Sequence, residues 1–169
     1  MRRRLTLIAA AAAIAAGVAA PAASAAIDWD RAANIKGAAT RLVALHRSQG
    51  SEGVLKFLDA CYRTHLLASE FNAGVEACLA QDYMHSQALA QIYARVPPEV
   101  RQKNRNPSPE EISKGFADRF VAAFAQYKLA AADATQFRAL VNRYGLPVFF
   151  KGVFPNAQQR GLQAPGGGK

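Results

Sequence analysis

The sequence predicts an all-α fold: a single-domain bundle of about five helices, a short C-terminal helix, and one interhelical disulfide. Three observations carry this. Apolar residues recur at three- and four-residue spacing in almost every segment, as in Val54, Leu55, Leu58, Cys61 and Tyr62. Start and stop residues stand where those stripes begin and end. The chain has 169 residues, of which 51% are hydrophobic; a chain of this size buries roughly two-thirds of its unfolded surface, enough for one core but not for two.

The elements follow in order. Asp28 is placed to cap a helix that runs toward Gln49, with Trp29, Ile35, Leu42 and Leu45 on its apolar side, and Gly50 stops it. Ser51 and Glu52 begin a second, which ends near Ala68. After a polar joint at Ser69 to Asn72, a third repeats Phe71, Val75, Cys78, Asp82, His85, Leu89, Ile92 and Val96 on one face and stops before Pro97 and Pro98. Residues 97–107 are polar, basic and proline-containing, and are expected to form a loop.

Ser108, Pro109 and Glu111 then form the pattern of a capping box with proline at the first helical position. The helix they start carries Ile112, Phe116, Phe120, Phe124 and Tyr127 on one face. A fifth runs from about Ala131 to Tyr144, and Gly145 is expected to close it in a left-handed conformation. Val148, Phe149, Phe150, Val153 and Phe154 are too apolar for a free tail and are expected to fold back over the bundle. Residues 156–169 are glutamine- and glycine-rich, which predicts a disordered tail.

The two cysteines fit an antiparallel pairing of the second and third helices. Residues at equal height in such a hairpin lie equally far from its turn, and the midpoint between Cys61 and Cys78 falls between Ser69 and Glu70, inside the polar joint. Both thiols then stand roughly 13 Å from the turn. A disulfide between them stabilises by on the order of 3 kcal/mol. Cys61, His65 and Cys78 are also conceivable metal ligands, but no fourth donor stands level with them, since Gly74 lies opposite His65.

Residues 1–25 have the pattern of a secretory signal peptide. Arg2, Arg3 and Arg4 precede an uncharged stretch from Leu5 to Ala20, and Ala23-Ser24-Ala25 supplies the small residues of a cleavage site after Ala25. This predicts a periplasmic or secreted product with domain boundaries of 26–155, not membrane-spanning once cleaved. Removal of Arg2, Arg3 and Arg4 takes the 21 Lys and Arg to 18 against 12 Asp and Glu, or +6. Outside the cytosol such an excess favours lipid head groups and wall polymers; nucleic acid is not an expected partner.

Candidate ligand-binding residues are Asp82 and His85, polar groups three apart on an apolar face, with His65 on the neighbouring stripe. A carboxylate orienting an imidazole suits proton transfer or ligand binding, and a plain hydrogen-bonded core pair satisfies the same two groups. Arg101, Lys103 and Arg105, opposed only by Glu99, are candidate contacts to an anionic surface. The chain has no Gly-x-Ser-x-Gly elbow, no His-Glu-x-x-His and no glycine-rich phosphate loop, so neither an enzyme nor a cofactor is expected.

The stretch Glu76-Ala77-Cys78-Leu79-Ala80-Gln81-Asp82-Tyr83, followed by Leu89 and Tyr93, is similar to the second-cysteine helix of small secreted lysozyme-inhibitor type domains. Those domains place their cysteines closer together and carry an acid where this chain has Gln87. The resemblance implies a non-enzymatic inhibitor or adaptor. The function expected is therefore binding or adaptor work in a bacterial-type cell envelope, with an anionic or protein partner. The alternative is a periplasmic carrier of a small molecule or metal, built on Asp82, His85, Cys61 and Cys78.

Overall fold

The computed structural model describes residues 27–155; the leader and the tail expected from the sequence lie outside them. Among the described residues every regular element is helical: α1 (Arg31–His65), α2 (Ala73–Tyr93), α3 (Pro98–Lys103), α4 (Pro109–Gln126), α5 (Ala131–Leu140), a π-helical turn (Val141–Gly145) and α6 (Leu146–Val153). The fold is the all-α single domain the stripes predict.

α1 is two rods joined at a break. Gly50 has φ 67° and ψ −168°, a conformation an L side chain adopts only under strain, so the helix axis changes direction where the sequence places a stop. The N-cap is Asp30 rather than Asp28: its Oδ1 accepts from Ala33 N at 3.0 Å. Asn72 caps α2 in the same way, its Oδ1 accepting from Val75 N at 3.0 Å.

The segment expected as a loop contains α3, with Pro98 at its first position and Glu99 in its first turn. Proline there loses no hydrogen bond, because the N–H it lacks has no partner inside a helix. The capping box of α4 is formed in both directions, Glu111 N to Ser108 Oγ at 3.1 Å and Ser108 N to Glu111 Oε2 at 2.7 Å.

Gly145 departs from expectation. Its φ is −90°, and the chain passes through it from the π-helical turn directly into α6 instead of stopping. The reason for glycine is space: a Cβ there would lie 2.9 Å from Met84 Sδ and 3.1 Å from Ile35 Cγ2. The turn is therefore seated tightly on α1 and α2. α6 lays Phe149 and Phe150 into the core, and Arg47 on α1 donates through Nε and Nη2 to the Gly152 carbonyl at 3.0 and 2.7 Å.

α2 is the central rod, packed between α1 and α4, and residues on most sides of it are buried, including Glu76, Gln81, Asp82, His85 and Ser86. Around it Leu42, Leu79, Met84, Phe120, Phe124 and Phe137 form one apolar core. Residues of α2 that break its apolar pattern must find partners inside the protein.

Candidate functional site in the cleft between α2 and α4

Asp82 lies midway along α2 and is 2% exposed. A carboxylate so far from water needs several donors, and it has them from three directions. Tyr62 Oη donates to Oδ2 at 2.7 Å from α1, and Ser86 Oγ donates to Oδ1 at 3.2 Å from the next turn of α2. Arg119 on α4 donates twice, Nε to Oδ2 at 2.7 Å and Nη2 to Oδ1 at 2.8 Å. This two-pronged contact fixes the guanidinium plane as well as its position.

The electrostatics follow from the geometry. Burial, then the charge of Asp82, pushes the Tyr62 phenol well above its usual range, so it keeps the proton it donates to Asp82. The hydrogen bonds to Asp82 raise Arg119 further, against a smaller opposing effect of burial. Asp82 and Arg119 form a charge-neutral unit that still presents a guanidinium edge.

The Asp82–His85 pair suggested by their spacing is not formed. Asp82 gives both oxygens to Tyr62, Ser86 and Arg119, so it does not orient the imidazole. His85 is 3% exposed, and its buried Nε2 has no hydrogen-bond partner. Burial, together with the charge of His46, lowers its pKa to about 4 against a smaller upward pull from Asp82. At neutral pH it is an uncharged imidazole.

Asp82, His85 and Arg119 line a cleft of about 240 Å³ between α2 and α4, whose apolar walls include Leu55, Leu89 and Ile112. Gly115 lies one turn before Arg119, and a Cβ there would approach Arg119 Nη1 to 3.4 Å. The absent side chain leaves room beside the one guanidinium nitrogen that Asp82 does not use. Glu111 stands at the far end, exposed, with Oε2 turned back to its own helix cap.

The other candidate residues are placed elsewhere. His65 lies beside the Cys61–Cys78 disulfide, which is formed between α1 and α2 with a Cα–Cα distance of 5.8 Å. Arg101 is not a free surface cation: it is partly buried, and Nη1 donates to the carbonyls of Tyr93 and Val96 at 2.7 and 2.8 Å, capping the end of α2. Lys103 and Arg105 are exposed.

Two features escaped sequence reasoning. Arg119 is one; its signal was the need of a buried Asp82 for a cation. The other is Glu76, 0% exposed, which accepts from Trp29 Nε1 at 2.7 Å, from Asn34 Nδ2 at 3.1 Å and from Arg31 Nε. Arg31 Nη1 continues to Gln136 Oε1 at 2.9 Å. This network ties the start of α1 to α2 and α5.

Searches of protein-family models, curated proteins and solved structures find no match to this chain. The resemblance of the Cys78 helix to lysozyme-inhibitor type domains therefore stands on its own residues.

Proposed function

We propose that this chain is an exported, non-enzymatic binding protein of a bacterial-type cell envelope, and that it engages an anionic group of its ligand or partner through Arg119 in the α2–α4 cleft. The observation that carries the reading is Nη1 of Arg119, the guanidinium nitrogen that Asp82 does not take, held in place by buried Asp82 and facing the space left by Gly115. A guanidinium fixed by a buried carboxylate loses little further entropy when it pairs with a second anion, and Leu55, Leu89 and Ile112 offer an apolar surface beside it. The leader pattern of residues 1–25 and the Cys61–Cys78 disulfide support export.

The reading moves the anionic contact from the basic loop, where Arg101 is occupied as a cap, to α4. Native mass spectrometry of the mature chain, after incubation with an envelope extract, tests it. A bound species of reproducible mass is expected on the wild type and not on Arg119→Leu; equal loading of both would remove Arg119 from the site. N-terminal sequencing of the exported protein should begin at Ala26, and recovery of a chain that still starts at Met1 would contradict export.

A further inference from the structure

The Cys61–Cys78 bridge has a third member. One sulfur from each cysteine and one ring nitrogen of His65 all lie within 4.8 Å of one another. Cys61 and His65 are four apart on α1 and so stand one above the other, while Cys78 comes from α2. Cys78 is buried; Cys61 and His65 are half-buried, open to a reductant and to an ion.

His65 sits where it does because residue 74 is glycine. A Cβ on Gly74 would lie 2.5 Å from both Nδ1 and Cε1 of His65, so any side chain there would displace the imidazole from the sulfurs. The sequence shows Gly74 opposite His65 as a missing fourth ligand; the structure shows it as the notch that seats the third.

We infer that reduction of the disulfide turns this corner into a Zn²⁺ site with Cys61, Cys78 and His65 as ligands. A dithiol reductant supplies two electrons and two protons, its own sulfurs joining as the Cys61–Cys78 bond opens to two thiols. Zn²⁺ then displaces both thiol protons and is held by two thiolates and one imidazole nitrogen. In a tetrahedral site with metal–sulfur bonds near 2.3 Å and metal–nitrogen bonds near 2.0 Å, the donors stand about 3.5–3.8 Å apart. From a present separation within 4.8 Å the nitrogen closes by about 1.3 Å at most, and the sulfurs part by side-chain rotation.

Asp82, one turn beyond Cys78, is committed to Tyr62, Ser86 and Arg119, so the fourth position falls to water. Three protein ligands and an exchangeable water make an open site, and the disulfide is its off state.

The test uses the mature chain under anaerobic conditions, reduced and freed of reductant, with Co²⁺ as the spectroscopic probe and far-ultraviolet circular dichroism recorded in parallel. One Co²⁺ per chain is expected, with a sulfur-to-cobalt charge-transfer band that Zn²⁺ abolishes, and no band for the oxidised chain. His65→Ala and Gly74→Val should each weaken binding on the order of tenfold or more. If reduction lowers the helical signal, Zn²⁺ should restore it. Binding unchanged by His65→Ala would overturn the three-ligand assignment, as would a reduced chain that gives neither the band nor any recovery of helix.

Discussion

Arg119 and Asp82 meet edge to edge, Nε to Oδ2 at 2.7 Å and Nη2 to Oδ1 at 2.8 Å, so that α4 is tied to α2 through a carboxylate almost closed to water. The arginine side chain itself is 48% exposed. The contact thus has a structural side, facing inward, and a free side, facing the cleft. Asp82→Asn keeps the shape and removes the charge, and is expected to cost about 2 kcal/mol in urea unfolding. Because Asp82 and Arg119 share one contact, adding Arg119→Leu should cost clearly less than it does alone; additive losses would show that the two side chains are not coupled.

In the first turn of α2, Glu76 holds the start of α1. Glu76→Gln leaves the buried Arg31 guanidinium without its counter-charge, and a loss of about 3 kcal/mol is expected. Trp29 is the only tryptophan and bonds directly to Glu76, so its emission should shift to the red in the variant at denaturant concentrations where the wild type is folded. An unshifted spectrum would mean that the network does not anchor this segment.

His85 gives the fold an acid sensitivity whose sign is fixed by burial. Its folded pKa, about 4, lies below the ordinary value of 6.5, so between these values the unfolded chain takes up a proton that the folded chain refuses. Stability should therefore fall as pH drops from about 6.5 toward 4, by roughly 3 kcal/mol from this residue, and the contribution should level off below that. His85→Leu should flatten this limb of the unfolding free energy measured against pH. A slope identical to that of the wild type would assign the acid sensitivity to other groups.

Gly145 is present for closeness rather than for a turn. Gly145→Ala sets a methyl group against Met84 and Ile35, and overpacking of this kind costs about 1–3 kcal/mol. Helix propensity alone predicts the opposite sign, since alanine favours helix over glycine. A thermal melt of the variant separates the two accounts: a raised midpoint would show that the π-helical turn relaxes to admit the methyl.

Much of the architecture was legible because helix stripes and caps are local. The Ser108–Glu111 box, the break at Gly50 and the pairing of Cys61 with Cys78 all depend on spacing along the chain, and each is found where spacing puts it. The helix α3 was hidden because Pro98, read as a breaker, also serves as a first helical residue. Gly145 was misread because sequence shows that a side chain is missing, not which neighbour would have struck it.

The site was half legible for a similar reason. Asp82 and His85 were visible as polar breaks in an apolar face, yet their spacing suggested each other as partners. The actual partners, Tyr62 and Arg119, lie 20 and 37 residues from Asp82, on other helices. Arg119 stands three residues after Phe116 and four before Ala123 on α4, so its position marks it as a charged break in an apolar stripe but does not name its partner. Only the crossing of α4 over α2 brings it to Asp82, and no periodicity within one helix encodes where two helices cross.

The most direct measurement is an amide-resolved NMR titration of the mature, oxidised chain with isovalerate, a small carboxylate with a branched apolar end, and with the uncharged isovaleramide. With isovalerate, saturable shifts are expected at Gly115, His85 and Leu89, reduced several-fold with isovaleramide and lost in Arg119→Leu. Shifts confined to Lys103 and Arg105, or a response at Gly115 that Arg119→Leu leaves intact, would contradict an anion site in the cleft.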